Sequence, residues 1–395
     1  MKIRQITNDE RPLLSMPIQA YAFQASPVDE DTRRRLDAAQ QYHADQVTLV
    51  AEEDGVAVAD ASALPMHQNV RGAVYKMAGI AGVATLPHAR RRGYGRALVS
   101  GLLGMMRDSG HVVSALYPFR ASFYERSGFV GLPQVPSATF SPSGLAWLLR
   151  TDLPGSVHWG PVAEHYDDHL ALARRLLDER HGFSTLPGSR LAQYREDESR
   201  WLAVAQVDGT VAATVSYRIT GYAGELVADD MLCSSALGRA LLLRFFATHI
   251  DQVTRIKLRI PPGETPELWA TDLELVTETR VSSPGSPAPM ARVLSLEGLT
   301  GMPVGNARVT VEVTDDSLIG GGYTLDGTTG TLAVRPDPAG DAAATLTAAG
   351  LSGLVYGVLD PDDVVVRGYG QLGPEAAALL RTLFPRCVPY VSARF

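Results

Sequence analysis

The chain has 395 residues, 45% of them hydrophobic, and a formal net charge of −7 from 36 basic and 43 acidic residues. This length predicts two or three domains, and the acidic balance argues against a general nucleic-acid or anionic-membrane surface. Two cysteines, Cys233 and Cys387, are too few for a disulfide framework or a clustered metal site, and no apolar run reaches eighteen residues. We therefore expect a cytoplasmic protein that binds no metal, nucleic acid or membrane.

The first third of the chain predicts a hairpin, a buried strand and then a helix that begins at a glycine-spaced turn. The segment VTLVAEEDGVAVADASALPM alternates apolar and polar residues about Asp54 and Gly55, and VYKMAGIAGVATLP predicts a strand that ends at Pro87. The helix has apolar residues at helical spacing from Leu98 to Met106 and stops at Gly110. A strand, HVVSALYP, and a short helix, RASFYERSGF, follow.

Residues 88–103, HARRRGYGRALVSGLL, place three arginines before two glycines at the start of this helix. Gly93 and Gly95 leave room for a ligand to approach the backbone, where the free N–H groups of a helix start attract an anion. Arg90, Arg91 and Arg92 can add positive charge. The turn lacks both the GK[ST] of a P-loop and the third glycine of a dinucleotide site. It predicts a phosphate site, and the alternative is a solvated basic helix start.

The order hairpin, strand, RxxGxG turn, amphipathic helix, strand and FYERSGF resembles the GNAT family of acetyl-coenzyme A (acetyl-CoA) dependent N-acetyltransferases. In that family a turn of the form Q/R-x-x-G-x-G/A binds the pyrophosphate of the cofactor. The resemblance implies that acetyl-CoA is the co-substrate and that Tyr124 protonates the departing thiolate. It also implies a cofactor site made of Val83, Ala84 and Thr85 on the strand and Arg90, Arg91, Arg92, Gly93, Tyr94, Gly95 and Arg96 at the turn.

Acetyl transfer to an amine also needs a donor to the oxyanion and a group that takes the ammonium proton. The backbone N–H of Val83 is the candidate donor. Near the turn, His88 and His111 fit surface and strand-end positions better than the role of a base. On a helix, Glu125 points away from Tyr124, its neighbour in the chain. The ending LFPRCVPYVSARF favours a docked tail, so the carboxylate of Phe395, ionised at neutral pH, is another candidate base.

With that ending, the whole chain resembles the Eis family of actinobacterial acetyltransferases, through PHARRRGYG, FYERSGF and the final Phe395. The resemblance implies an α+β fold: a GNAT domain with the acetyl-CoA site at 1–140, a second GNAT-like domain at 141–287, and a sterol-carrier-protein-like α/β domain at 288–395. The segment ADDMLCSSALGRALLLRFF fits a second domain without a cofactor motif, because SSALGRA stands where a basic turn would be. The resemblance further implies a homo-hexamer in which Phe395 is the catalytic base.

The acceptor that the resemblance implies is an aminoglycoside or another small molecule with a primary amine. However, Arg394 beside the base would repel a polyamine, and residues 24–27 contain no carboxylate. The acidic residues 29–31 can restore negative charge, and Phe23 or Trp201 can supply apolar walls. The alternative interpretation fits equally well: the acidic residues begin a helix, and the aromatic residues belong to a core.

A second hypothesis comes from a different class of protein. The C-terminal region resembles carriers of apolar ligands, so the chain could be an acyl-CoA-binding or lipid-binding scaffold with a decayed acetyltransferase domain. The intact turn and the presence of Tyr124 argue against this alternative.

Overall fold

A computed structural model of the chain describes residues 2–338 and 341–395. Its strands are, in chain order, β1 (Lys2–Ile6), β2 (Val47–Glu53), β3 (Val56–Val70), β4 (Ala73–Thr85), β5 (Val113–Leu116), β6 (Val130–Gly131), β7 (Ser137–Phe140), β8 (Ser156–Pro161), β9 (Ser184–Thr185), β10 (Trp201–Val207), β11 (Thr210–Ile219), β12 (Glu225–Asp230), β13 (Leu232–Cys233), β14 (Arg255–Arg259), β15 (Leu275–Glu278), β16 (Met290–Val293), β17 (Arg308–Thr314), β18 (Gly321–Asp326), β19 (Ala333–Pro336), β20 (Ala344–Thr347) and β21 (Gly370–Leu372).

The α-helices are α1 (Arg11–Leu14), α2 (Met16–Phe23), α3 (Glu30–Ala38), α4 (Tyr94–Asp108), α5 (Ala121–Glu125), α6 (Val162–Glu179), α7 (Gly188–Arg195), α8 (Ala236–Ala247), α9 (Ala348–Val355), α10 (Pro361–Val366) and α11 (Pro374–Leu383). Within the described ranges, no helix is long and apolar enough to cross a membrane.

The first sheet has the strand order β1-β2-β3-β4-β5-β16-β6, with β9 added to β3. The predicted hairpin of β2 and β3 is confirmed: Asp54 and Gly55 both have positive φ, 51° and 80°, as a two-residue hairpin turn requires. β4 lies antiparallel to β3 and parallel to β5. The predicted buried strand before Pro87 is therefore the centre of this sheet.

β16 comes from far along the chain and pairs with both β5 and β6 in the first sheet. The sequence grouped residues 290–293 with the third region because a Pro-, Gly- and Ser-rich stretch precedes them. Their strand partners instead lie in the first sheet, and the buried Arg292 pairs with Asp316 at 3.0 Å. β16 thus joins the first sheet to the C-terminal part of the chain.

Helix α4 packs on one face of the first sheet through Leu98, Leu102 and Met106, as the helical spacing predicted. It ends at Asp108, just before Gly110, whose φ is 84°. Side chains alternate between the two faces of a strand. Ala59 and Ala61 of β3 belong to the core beneath α4, so the intervening Asp60 points to the opposite face, where α1 and α2 lie.

The second sheet repeats this arrangement with the strand order β15-β7-β14-β12-β11-β10-β8. β12 lies parallel to β14, and α8 connects the two, as α4 connects β4 to β5. The first strand of this sheet in the sequence, β7, begins at Ser137. The chain therefore has two tandem GNAT-like sheets with mixed α and β content.

The third sheet has the order β19-β18-β17-β20-β21 and packs against the first sheet through α9, in which every residue is buried. Its apolar residues and those of β16 and β3 form one core cluster. Arg71, in the β3–β4 turn, donates to the carbonyl oxygens of Leu354, Val355 and Pro385 at 2.6–3.0 Å. These contacts fix the third sheet to the first.

The last residues of the chain form an ordered tail without helix or strand. The backbone N–H of Tyr390 donates to the carbonyl of His181 at 2.9 Å, and Ser392 Oγ donates to the carbonyl of Ser184 at 3.1 Å. Tyr117 Oη donates to the carbonyl of Ala393 at 3.0 Å. The prediction of a docked tail is therefore confirmed.

Candidate active site

The first sheet opens where β4 continues beyond β5. The two strands pair from Met77 with Val113 to Ile80 with Leu116, and residues 81–85 of β4 extend past the last pair. Of these residues, Ala81, Ala84 and Thr85 still pair with β3 on their other side. A strand edge with free N–H and C=O groups can bind an extended chain as an added strand. The strand residues of the predicted cofactor site, Val83, Ala84 and Thr85, lie on this edge.

A bulge at Gly82 bends β4 within this opening. The register against β3 shifts between Asp60, opposite Ala84, and Ser62, opposite Ala81, and Gly82 has φ 59°. Bulges redirect backbone groups next to functional sites. This one lies directly before Val83, the candidate oxyanion donor.

Asp60 supports the bulge from the buried face and was missed by the sequence reasoning. Its Oδ2 accepts from Ser15 Oγ at 2.6 Å and from Gln19 Nε2 at 2.8 Å, and Gln19 Nε2 also donates to the Gly82 carbonyl at 3.4 Å. Burial raises the pKa of Asp60 to about 7. The available signal was a single carboxylate within an otherwise small and apolar run, VAVADASAL.

The turn before α4 is an open cradle of backbone groups. Arg91 and Gly93 have positive φ, 61° and 88°, and no side chain caps the helix start at Gly93. A Cβ added to Gly93 would meet no atom within 4 Å, so the space above it is free for a ligand. The first N–H groups of α4, at Tyr94, Gly95 and Arg96, have no partner within the helix and favour an anion.

The three arginines of the turn are not equivalent. Both terminal nitrogens of Arg92 donate to the carboxylate of Glu53, with Nη1 to Oε2 at 2.8 Å, and Arg92 lies over the ring of Tyr94 at 5.6 Å. This pairing lowers the pKa of Glu53. Arg90 and Arg91 are exposed, and Arg90 Nε donates to the carbonyl of Thr85 at 3.1 Å. Their charges are therefore the more available to a phosphate.

Tyr124 lies in α5 and is buried among aromatic rings. Its ring meets those of Phe119, Phe123 and Phe129 at centroid distances of 5.5, 4.9 and 6.1 Å. Burial raises the pKa of Tyr124 well above its usual value, so the hydroxyl is protonated at neutral pH and is a weaker acid than an exposed tyrosine. A Cβ on Gly95 would lie 3.5 Å from Phe123, so this aromatic group adjoins the start of α4.

Phe395 lies at the mouth of the opening. Its ring packs edge-on against Tyr117 at 5.6 Å, and a Cβ on Gly79 would lie 2.9 Å from Phe395 Cε2. Gly79 pairs with Ala115, one residue before the last β4–β5 pair. The ring of Phe395 thus lies near the opening on one face of the sheet, whereas Tyr124 belongs to the core on the α4 face.

The other residues that the sequence suggested for the site have structural contacts of their own. His111 is buried with Nδ1 at 2.9 Å from the carbonyl of Met106, and burial lowers its pKa. Glu125 accepts from Tyr369 Oη, which confirms that it points away from Tyr124. Asp29 caps α3 by accepting from Thr32 N at 2.7 Å, as a helix-start acid does. Trp201 packs against Trp159 at the surface and is 41% exposed.

Two cavities that share lining residues lie beside the C-terminal tail, and Phe395 lines one of them. The outer cleft, about 760 Å³, is bounded by Tyr42, by residues of the 186–198 segment and by Arg394 and Phe395. The inner cavity, about 320 Å³, lies between the second sheet, α6 and the tail. Leu186, Tyr194, Asp197 and Arg394 line both. The cleft lined by Phe395 is therefore large enough for an acceptor molecule.

Residues 2–130 match the family model of the acetyltransferase (GNAT) domain. Along its whole length the chain is similar to a GCN5-related N-acetyltransferase from Kribbella flavida, with 22% identity, a TM-score of 0.83, and coverage of 100% of this chain and 98% of that one. It is also similar to Eis1 from Mycobacterium abscessus, with 17% identity, a TM-score of 0.78 and full coverage of both chains. No curated protein matches the sequence. Structural likeness at this level of identity shows a shared fold.

Proposed function

We propose that the chain is an Eis-like GNAT acetyltransferase, which transfers the acetyl group of acetyl-CoA to a primary amine by direct attack. The observation that carries this proposal is the position of Phe395, which packs over Gly79 where β4 leaves β5. A potential base thereby lies beside the open strand edge, and the uncapped helix start follows that strand in the chain.

The residues of the first sheet fit acetyl-CoA. The open space above Gly93 and the free N–H groups at the start of α4 suit a pyrophosphate, and Arg90 and Arg91 can add charge-assisted bonds. Residues 83–85 offer the strand edge along which a pantetheine chain can pair. We expect Arg92 to contribute less to the binding of the pyrophosphate, because Glu53 already neutralises its guanidinium.

Three groups of the chain perform the proton and charge transfers. The Phe395 carboxylate accepts a proton from the substrate ammonium, and the amine then attacks the thioester carbon while the C–S bond breaks. The Val83 N–H binds the oxygen that gains negative charge, a kind of contact worth about 10²- to 10³-fold in rate. The Tyr124 hydroxyl donates its proton to the leaving sulfur and later recovers one from solvent.

The remaining expectations from the Eis resemblance are part of the same proposal. They are domain boundaries at 140 and 287, a sterol-carrier-protein-like C-terminal domain, a homo-hexamer, a cytoplasmic location and an acceptor range that extends to aminoglycosides. Exposed Trp159 and Trp201, whose rings pack edge to face on the second sheet with centroids 5.3 Å apart, support a subunit interface. Sedimentation of the purified chain tests the hexamer.

Calorimetric titration with acetyl-CoA tests the proposed function against the scaffold hypothesis. We expect one cofactor per chain and thiol release when a panel of primary amines is added. Arg91→Ala should weaken the binding of acetyl-CoA, whereas Arg33→Ala, which removes an exposed arginine from α3, should not. The absence of specific heat with acetyl-CoA would disprove the acetyltransferase proposal and leave the lipid-binding scaffold.

A further inference from the structure

The tail that ends at Phe395 is held to the body of the protein by hydrogen bonds up to Ala393. Ser392 Oγ donates to the carbonyl of Ser184 at 3.1 Å and accepts from the N–H of Ser184 at 3.2 Å. The N–H of Ala393 donates to Ser184 Oγ at 3.4 Å, and the carbonyl of Ala393 accepts from Tyr117 Oη at 3.0 Å. Among residues 2–338 and 341–395, Ala393 is the last residue of the tail whose backbone takes part in a hydrogen bond. The first sheet therefore holds the tail through Tyr117, two residues before the chain ends.

Tyr117 follows the last residue of β5, at the point where β4 and β5 separate. The last pair between these strands joins Ile80 with Leu116. Burial raises the pKa of Tyr117 to about 12, so its hydroxyl keeps its proton at neutral pH and remains a donor to the Ala393 carbonyl. Because Tyr117 is one residue beyond a paired strand, the sheet fixes the position from which this side chain holds the tail.

The side chain of Tyr117 also contacts the ring of Phe395. The two ring centroids are 5.6 Å apart and the ring planes are inclined at 64°, an edge-on arrangement that aromatic pairs favour. On β4, a Cβ added to Gly79 would lie 2.9 Å from Phe395 Cε2 and 2.6 Å from Met66 Sδ. The terminal ring and Met66 thus lie directly over the backbone of Gly79, where any larger residue would displace them.

One tyrosine thereby holds the last three residues of the chain at two points, the carbonyl of Ala393 and the ring of Phe395. Chain ends without such contacts fray, and a base must lie within hydrogen-bond reach of the proton that it removes. A displacement of about 1 Å can lower the rate of a reaction about 10²-fold. Because the terminal carboxylate and the Phe395 ring belong to the same residue, holding the ring and the Ala393 carbonyl restricts where the carboxylate can lie.

We propose that Tyr117 is a positioning residue for acetyl transfer, which places the terminal carboxylate of Phe395 by holding the tail at these two points. This inference rests on the proposed function, in which that carboxylate takes the proton of the substrate ammonium. Tyr117 itself exchanges no proton with the substrate, because its hydroxyl donates to the tail. Gly79 contributes by leaving room for the terminal ring.

The first part of the test measures the tail without any acetyl transfer. Carboxypeptidase A prefers a terminal aromatic residue and can remove Phe395 only when the tail opens. Tyr117→Phe removes the hydroxyl and keeps the ring, so we expect Phe395 to be released about threefold to tenfold faster, as the loss of one neutral hydrogen bond implies. Gly79→Ala leaves the hydroxyl in place and displaces the terminal ring, and it should also speed the release.

Tyr75→Phe is the matched control for both parts of the test. Tyr75 lies on β4, its Oη donates to the carbonyl of Leu299 at 3.4 Å, and burial raises its pKa to about 12, as for Tyr117. We expect this variant to release Phe395 at the rate of the unaltered chain. Thermal unfolding of the three variants shows whether each remains folded.

The second part measures acetyl transfer to a primary amine. Tyr117→Phe should lower kcat about tenfold and leave KM for acetyl-CoA unchanged, because the carboxylate is held less closely while the cofactor site is intact. Two residues appended after Phe395 move the carboxylate itself. In that extended chain, Tyr117→Phe should cause no further loss of kcat, because two changes that act through one group are not additive.

The outcomes separate this inference from the proposed function. If Tyr117→Phe changes neither the release of Phe395 nor kcat, or no more than Tyr75→Phe does, the inference is wrong while acetyl transfer stands. If the losses of kcat multiply in the extended chain, Tyr117 acts by another route and the inference is again wrong. If the unaltered chain acetylates no amine, the proposed function and the positioning role fail together, and faster release from Tyr117→Phe would then show a tail contact alone.

Discussion

The chain contains the same strand–helix–strand arrangement twice, and only the first copy has an open site among the described residues. In the first, α4 begins at Gly93 with φ 88° and no side-chain cap. In the second, α8 begins after Ser235, whose Oγ accepts from Gly238 N at 3.1 Å. The second helix start therefore satisfies its own N–H groups, whereas the first leaves them available to an anion.

The glycines and strand ends of the two copies differ in the same way. A Cβ on Gly238 would lie 2.7 Å from the carbonyl oxygen of Ala212, so that glycine permits close packing, whereas the space above Gly93 is open. β12 and β14 pair up to Asp230 and Arg259, the last residues of both strands. β4 instead extends past β5. The two copies thus share the order of elements and differ in the strand pair and in the capping of the helix.

Changing the C-terminus tests whether the first copy alone is catalytic and should have the largest effect. Two residues appended after Phe395 move the carboxylate, and we expect turnover to fall by about 10²- to 10⁴-fold with the affinity for acetyl-CoA unchanged. Rates and titrations on the same folded variant measure this. An extension of equal length before residue 1 is the control. A normal rate in the C-terminally extended protein would mean that another group is the base.

Tyr124→Phe removes the proposed acid of the first copy. We expect turnover to fall by about 10²-fold while acetyl-CoA still binds, because the hydroxyl acts in the transition state. Tyr217→Phe removes a buried hydroxyl from the second sheet and serves as the control. Equal turnover in wild type and Tyr124→Phe would reduce Tyr124 to a packing residue.

Replacing Gly93 and Gly238, one at a time, with alanine separates cofactor binding from packing. Gly93→Ala places a methyl group in the cradle at an unfavourable φ, so we expect acetyl-CoA to bind about tenfold more weakly. Gly238→Ala should leave this affinity unchanged and lower stability by about 1 to 3 kcal/mol, through its contact with Ala212. Titration and thermal unfolding of both variants provide the measurements. The comparison of the two copies would be wrong if Gly238→Ala weakened the cofactor and Gly93→Ala did not.

The arginines of the turn should contribute unequally. Arg91→Ala should weaken acetyl-CoA about tenfold, in a way that salt reduces, because an exposed guanidinium is free for a phosphate. Arg92→Ala should have a smaller effect, because Glu53 holds that side chain. Titrations at two salt concentrations distinguish the two. Equal losses would show that Arg92 leaves Glu53 when the cofactor binds.

The smallest expected effect concerns stability and pH. The pKa of Asp60 is raised from 3.8 to about 7, so its ionisation destabilises the fold, and stability is lost as pH rises between these values. Asp60→Asn keeps both hydrogen bonds without the charge, so its thermal midpoint should exceed that of wild type by roughly 5 °C at pH 8 and by much less at pH 4. Ser62→Ala, in the same strand, should show no such trend. A difference independent of pH would contradict the buried charge.

The sequence by itself determined the local elements around the site. The β2–β3 hairpin, β4, α4 and α5 all form where the patterns predicted them, because turn residues and apolar periodicity act between neighbours in the chain. The exposed turn at residues 90–96 and the position of Tyr124 before Gly128 are visible in the same way.

Only the tertiary structure decided how these elements are completed. β16 enters the first sheet from residues 290–293, Glu53 takes the charge of Arg92, and the tail carries Phe395 to Gly79. Each of these contacts joins residues far apart in sequence, so no local period or turn signal encodes it.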